Sequence, residues 1–364
     1  MPVPSRTTMK EVARAAGVSM QTVSRVLNER PDVAPETADR VRRVIEETGY
    51  APNLLARGLT RGRSQAIGVV AYGIAYYGPS QIVTGIEREA AAMGYSMSLT
   101  LVHDAETLDG DAIIGALASR LVDGIVWAVP DVGANRDWIA GQAARLSVPV
   151  VVVGGTSATP GIPTISIDNL EIGRIAARHV LAGGARRVAG VTGPLSWEEA
   201  RERRDGALEV LAEAGIDADE SLFLEGDWSA QSGENAFHEI VERCPDVDAV
   251  LAGNDQEALG VLHAAHKLGF DVSRRLAVVG VDNIPESAHF LPALTTVEQP
   301  LAAAGALAVH ELAALIDRRG KARGPVEMPT SRLLAPTLVV RDSSRGAPDA
   351  GAVGGADLLR LDRV

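Results

Sequence analysis

Residues 8–28 read TMKEVARAAGVSMQTVSRVLN, and this stretch decides the fold of the N-terminal part of the chain. Thr8 stands where a helix N-cap belongs, and Glu11 three residues later completes a capping box. Val12, Ala13 and Ala16 then supply an apolar face before Gly17 breaks the run. Ser19 is a second N-cap, which predicts a second helix from Met20 to about Asn28. Val23, Val26 and Leu27 form its inward stripe, so Met20, Gln21, Arg25 and Asn28 lie on the other face. Two short helices joined by a tight, Gly-containing turn are the helix-turn-helix pattern, in which the second helix enters the major groove. Gln suits adenine there and Arg suits guanine, while Thr22, Ser24 and the helix N-terminus suit phosphates. A solvated helix face has the same periodicity, so the pattern alone leaves both readings open.

Working outward, a third helix is predicted from Pro35, with Val41, Val44 and Ile45 inward and a stop at Gly49. Tyr50-Ala51-Pro52-Asn53, LLARGL and a polar run from Thr60 to Ser64 read as a linker holding one short helix capped by Asn53. Gly58 lowers its intrinsic helicity, and a segment this short is marginal alone. From Ala66 the texture changes. Apolar runs of strand length alternate with helical patterns: AIGVVA, IVTGIEREAAAMG, SMSLTLV, a helix ending near Arg120, GIVWAV and VPVVVVGG. A second series is expected to begin near Ile165, with RVAGVTG, AVLAGN and LAVVGVD as buried strands. This is the α/β alternation of parallel sheets with helical crossovers, and two series imply two lobes with a cleft between them. The composition beyond Arg341, rich in Gly, Ala and Asp, predicts a flexible tail. The expected division is a headpiece at 1–49, a hinge at 50–64, a two-lobed core at 65–341 and a tail at 342–364.

The net charge of −12 excludes a protein that coats nucleic acid over its whole surface. The distribution says more: residues 1–64 hold 11 Lys or Arg against 7 Asp or Glu, so this end carries +4 and the remainder −16. A basic end on an acidic body is an electrostatic footprint for phosphates confined to one place. The opening MPVPSRTTMK has no signal-peptide-like apolar stretch, and no later run of about 18 apolar residues reads as a membrane span. A cytoplasmic location and no membrane partner are expected. Cys244, the single cysteine, cannot form an internal disulfide, and its place near a helix end fits packing better than reactivity.

The blocks EVARAAGVS, TVSRVLN and GYAPN, followed by an apolar hinge segment, resemble the N-terminus of the lactose-repressor family, also called LacI/GalR. The likeness continues through GPSQIV, EGDWSA, GNDQEALG and LPALTTVEQ to about Arg341. It implies an all-α helix-turn-helix headpiece on an α/β core of two lobes, like the periplasmic sugar-binding proteins. It also implies a repressor of a sugar-utilisation operon, released from a pseudo-palindromic double-stranded operator by a sugar or glycoside; the alternatives are a regulator that binds DNA with its ligand as co-repressor and one with a non-sugar effector. Met20, Gln21 and Arg25 would read bases. Thr8, Ser19, Thr22, Ser24, Asn28, Tyr50 and Asn53 would support DNA contact. Leu59 matches the hinge leucine that wedges into the minor groove, and Ala56 on the same face is small enough for close approach. The hinge helix would then order only on DNA.

By the same resemblance, the effector contacts would be Tyr76, Gly78, Pro79, Ile82, Arg203, Trp228, Asn254, Asp282 and Gln299. Singly, each has a plainer reading: Arg203 as a surface ion pair, Trp228 as core packing, Asp282 as a turn cap. Jointly they supply what a sugar needs, charged and amide groups for hydroxyls and an indole for the apolar ring face. Asn254 and Asp282 are expected at the carboxyl ends of strands, where open α/β sheets bind ligands. Ala128 and Gly154 depart from the lactose-repressor pattern, which has polar contact residues there, and Tyr76 and Leu301 replace other lining positions. Fewer donors and more room point to a bulkier ligand, such as a disaccharide or an aryl glycoside. Trp127 and Trp197 are expected near the cleft.

A homodimer is expected, since one headpiece reads only a half-site. Leu358, Leu359 and Leu361 are too few for a tetramer-forming coiled coil. An enzyme is disfavoured. His310-Glu311 and His238-Glu239 lack the second histidine of a zinc motif, no GxSxG is present, and GGARRVAG lacks phosphate-loop spacing. No cofactor is expected. A secreted solute-binding protein would suit the core but not the basic headpiece.

Overall fold

The computed structural model describes residues 7–27, 30, 32–50, 63–103, 109–130, 139, 141, 146, 148–155, 161–216, 219–320 and 331–344. Asn28, Asn53, Ala56 and Leu59, the hinge leucine included, lie outside the described residues, as do 345–364.

The chain forms two units, Met1–Ser64 and Gln65–Val364. In the first, helices α1 (Met9–Ala16), α2 (Met20–Leu27) and α3 (Pro35–Thr48) pack together. The capping box forms as expected: Glu11 N–H donates to Thr8 Oγ1 at 3.4 Å, and Thr8 N–H donates to Glu11 Oε2 at 2.7 Å. These bonds hold the Glu11 carboxyl below its usual range. Gly17 and Gly49 end α1 and α3 in the left-handed region, where a side chain would be strained. The core is Val12, Ala13, Ala16, Val23, Val26, Ala38 and Val41. Its three alanines keep the helices close, and each buried valine contributes roughly 1.5–3 kcal/mol. Val44, Ile45, Leu27 and Tyr50 pack against it half-buried.

In the second unit, the first lobe is built from β1 (Ala66–Tyr72), α4 (Tyr77–Ala92), β2 (Ser96–Val102), α5 (Gly110–Ser119), β3 (Gly124–Ala128), β4 (Val150–Val153) and β5 (Thr164–Ile167). The second follows with α6 (Asn169–Ala182), β6 (Val188–Thr192), α7 (Glu198–Glu213), β7 (Phe223–Glu225), α8 (Ala230–Arg243), β8 (Ala249–Ala252), α9 (Asp255–Lys267), β9 (Ala277–Val281) and β10 (Thr295–Glu298). Then α10 (Leu301–Gly320) returns to pack on the first sheet, and β11 (Arg332–Leu334) and β12 (Thr337–Val339) add one strand to each sheet. The strand orders are β11-β5-β4-β3-β1-β2 and β12-β10-β9-β8-β6-β7. All pairings are parallel except β10 with β12. Both lobes thus repeat one doubly wound order, with a switch point between β1 and β3 in one and between β6 and β8 in the other.

Two expectations need correction. The strand at Ile165 does not open the second series: Val153 pairs with Ile165, so β5 completes the first sheet and the second begins at β6. A buried apolar strand such as TISI fits either sheet, and only pairing assigns it. Nor does the chain loosen at Arg341. Residues Asp342–Ser344 form a 3-10 turn in which Ser343 and Ser344 are buried. Thr295 N–H donates to Ser343 Oγ at 2.8 Å, and Ser343 Oγ–H donates to the Val278 carbonyl at 2.6 Å. Small serines satisfy buried backbone groups there, which composition does not foretell.

Paired glycines bring neighbouring helices together. A Cβ on Gly85 would lie 2.1 Å from the Ala302 carbonyl oxygen, and one on Gly305 2.3 Å from that of Ile82. Gly173 and Gly206 meet the carbonyl oxygens of Arg203 and Leu170 at 1.9 and 2.0 Å by the same measure. Gly233 and Gly260 meet those of Glu257 and Ala230 at 2.1 and 1.9 Å. The pairs α4/α10, α6/α7 and α8/α9 therefore cross with backbones in contact. These crossings set the depth of Ile82, Arg203 and Glu257. Among the described residues, no helix is long and apolar enough to cross a membrane, and no group of three metal-ligating side chains forms.

Candidate functional site

In the helical unit, Ser19 Oγ accepts the Thr22 N–H at 3.1 Å and fixes the start of α2. Met20 is 53% exposed, and Gln21 and Arg25 are exposed beside it, whereas Val23 and Val26 face inward. Arg25 Nη1 reaches Asp32 Oδ2 at 3.5 Å. A pair this exposed is worth at most about 1 kcal/mol, so a base edge can take the guanidinium at small cost. Ser24 is half-buried, and Tyr50 closes the C-terminus of α3, its N–H donating to the Ile45 carbonyl at 3.2 Å. Thr8 is exposed, with its hydroxyl engaged by Glu11. The described candidates thus fall into an exposed set at the start of α2 and a framework set around it.

In the second unit, Tyr76, Gly78, Pro79, Ile82, Arg203, Trp228, Asn254, Asp282 and Gln299 all line one cleft of about 870 Å³, open mouth included. The cleft lies where the two switch points face each other. Tyr76 to Ile82 follow β1, Trp197 and Arg203 follow β6, Asn254 follows β8 and Asp282 follows β9. Gln299 sits in the segment that passes from β10 to α10.

Arg203 is the hub of the polar side. Its Nε donates to Asn169 Oδ1 at 2.9 Å, Nη1 to the Gly253 carbonyl at 2.7 Å and Nη2 to Gln299 Oε1 at 3.3 Å. It also lies 5.6 Å above the Trp228 ring, within cation–π range. Burial lowers its pKa, with Asp282 and Glu199 acting the other way. The Asp282 carboxyl is pushed up to about 7 by burial, against the pull of Arg203. Asn254 caps α9 through its Oδ1 and donates its amide to the Trp228 carbonyl at 3.0 Å.

Aromatic side chains adjoin this polar group. Trp197 stands 5.7 Å from Tyr76, 5.7 Å from Tyr72 and 5.8 Å from Trp228, ring centre to ring centre. The indole Nε1–H of Trp228 is buried with no partner among the described residues. Ala128 and Gly154 also line the cleft, as does Leu301, and they leave space on the first-lobe side. Trp127 does not line it: β3 carries this side chain into the first lobe's core, 2% exposed. Tyr77, Asn169 and Glu199 line the cleft without having been singled out in the sequence. Their only signal is position just past a strand, which many surface residues share.

Comparison with known proteins places this geometry. A profile of bacterial regulatory proteins of the lacI family matches residues 8–53, and one of the periplasmic binding protein-like domain matches residues 177–344. The lactose operon repressor of Escherichia coli (strain K12) is 32% identical over 345 residues, covering 94% of each chain.

The chain belongs to the LacI family.

A crystal structure of the lac repressor dimer bound to operator and the anti-inducer ONPF superposes with a TM-score of 0.82 at 32% identity, covering 93% of this chain and 99% of that one. A complex of the transcriptional regulator CelR with cellobiose gives a TM-score of 0.67 at 30% identity, covering 93% and 100%. This LacI-family member is a DNA-binding transcriptional regulator.

Proposed function

We propose that this LacI-family regulator is a cytoplasmic homodimeric repressor of a sugar-utilisation operon, released from a pseudo-palindromic operator by a glycoside bound in the cleft. The observation that carries the ligand reading is a cleft lined together by hydrogen-bonding and aromatic side chains. Arg203, Asp282, Asn254 and Gln299 offer donors and acceptors for hydroxyls, and Trp228, Trp197 and Tyr76 offer flat apolar faces for sugar rings. Ala128 and Gly154 leave room on the first-lobe side, so a disaccharide or aryl glycoside fits best. The cellobiose and ONPF complexes of structural relatives support that class.

Met20, Gln21 and Arg25 would read bases, Ser19, Thr22 and Ser24 would position the helix, and Asn53, Ala56 and Leu59 would serve the hinge. Ligand binding would favour a lobe arrangement in which the Leu59 pair of the dimer no longer fits the minor groove. A differential affinity of a few kcal/mol between two arrangements suffices.

The test selects an operator in vitro from random DNA, then titrates the complex with β-glucosides, galactosides and free glucose. Release by a disaccharide or aryl glycoside, lost in Arg203→Ala while DNA binding persists, supports the reading. A normal response of Arg203→Ala refutes it.

A further inference from the structure

Helix α9 carries a glutamate where the amphipathic pattern calls for an apolar side chain. Glu257 lies on its buried face beside Ala258 and Val261, with 0% exposure. Burying a carboxyl without purpose is costly. Its position has structure around it. Glu257 Oε1 accepts the backbone N–H of Trp228 at 3.0 Å. From the same helix end, Asn254 Nδ2 donates to the Trp228 carbonyl at 3.0 Å. Both backbone polar groups of Trp228 are thus held by two side chains of one helix turn.

Trp228 needs such a clamp. Its φ is +69°, a left-handed conformation that strains a non-glycine residue. Space for the carboxyl is made by glycines on two converging loops. A Cβ at Gly226 would fall 2.5 Å from Glu257 Oε1, and one at Gly253 2.8 Å from Oε2. Any other residue at either place would fill the niche.

We propose that Glu257 is a positioning residue for Trp228: with Asn254 it locks the backbone that presents the indole to the cleft. Its importance for effector binding rests on the reading of that cleft given above, but the lock itself does not. Burial pushes the Glu257 carboxyl up to about 8, so it is neutral near pH 7 and an amide can replace it. Arg203, which pulls its pKa down, and Asp227, which pushes it up, are the charged groups that face it.

The test is hydrogen exchange of the Trp228 amide in the ligand-free full-length protein, with fragments spanning α6 as an internal reference for global stability. Glu257→Gln keeps an acceptor and is expected to retain slow exchange. Glu257→Met removes the acceptor and is expected to speed exchange of the Trp228 amide by about ten-fold or more, the reference unchanged. A Trp228 emission spectrum, taken as the difference from Trp228→Phe, should shift in the Met variant and not in the Gln variant. Equal exchange in wild type and the Met variant overturns the proposal, as does a Gln variant that behaves like Met. Neither result bears on whether the cleft takes a glycoside.

Discussion

Gln299 Nε2 donates to Asp282 Oδ1 at 2.5 Å and its Oε1 accepts from Arg203 Nη2 at 3.3 Å, so one amide links the acid and the base of the cleft. Gln299 belongs to the segment between the lobes, and Arg203 and Asp282 belong to the second lobe. Gln299→Leu would remove both bonds at nearly constant volume and leave two buried charged groups less satisfied. The expected outcome is an effector affinity weaker by about ten-fold or more with operator affinity in the absence of ligand unchanged, read by fluorescence titration and by DNA anisotropy.

Trp197 touches Tyr72 and Tyr76 of the first lobe and Trp228 of the second. Ring pairs of this kind are worth about 0.5–1.5 kcal/mol each beyond area burial. Trp197→Ala is expected to weaken binding of cellobiose or an aryl glucoside several-fold more than that of glucose. Equal losses for both sugars would show that Trp197 does not meet the second ring.

A side chain at Gly193 would enter the Trp228 ring, since a Cβ there lies 2.1 Å from Cζ2. The ring also lies close to Gly253, where a Cβ would fall 3.2 Å from Cζ3. Gly193→Ala is expected to lower stability by about 1–3 kcal/mol and to displace the indole. Thermal unfolding and the Trp228 emission maximum would report the two effects separately.

Three buried carboxyls give the core a pH dependence of defined sign. Burial raises Asp255 to about 6, Asp282 to about 7 and Glu257 to about 8. The folded core keeps these protons where the unfolded chain has released them. The stability they contribute is fully present below their unfolded values, near pH 4, and is lost as pH rises through the folded ones. The unfolding midpoint is therefore expected to fall between pH 5 and pH 8.5. Glu257→Gln should flatten the upper part of that curve, and an unchanged slope would contradict the buried-acid account.

The helical unit offers the simplest check. Thr8→Ala removes the cap of α1 and should cost about 1 kcal/mol in that unit. Gln21→Ala and Arg25→Ala leave all packing intact and should abolish sequence preference, with nonspecific DNA binding and sugar binding retained. Calorimetry and binding to a selected against a scrambled duplex would distinguish these outcomes.

The capping box at Thr8 and Glu11, the exposed face of α2 and the stop at Gly49 were legible in the sequence, because each depends on neighbours within four residues. The alternation of strands and helices after Ala66 was legible for the same reason, and the family resemblance named nine residues that the structure brings to one cleft. What local pattern could not decide was partnership. Only pairing assigns β5 to the first sheet, buries Ser343 under β9 and β10, and turns Trp127 inward while Trp197 lines the cleft. Only the contact of helix backbones at Gly85, Gly173, Gly206, Gly233, Gly260 and Gly305 sets how deep Ile82, Arg203 and Glu257 lie. Nothing in the local sequence singles out Glu257. Its role comes from a loop 29 residues earlier in the chain, and distance in sequence hides such a contact until the sheets have formed.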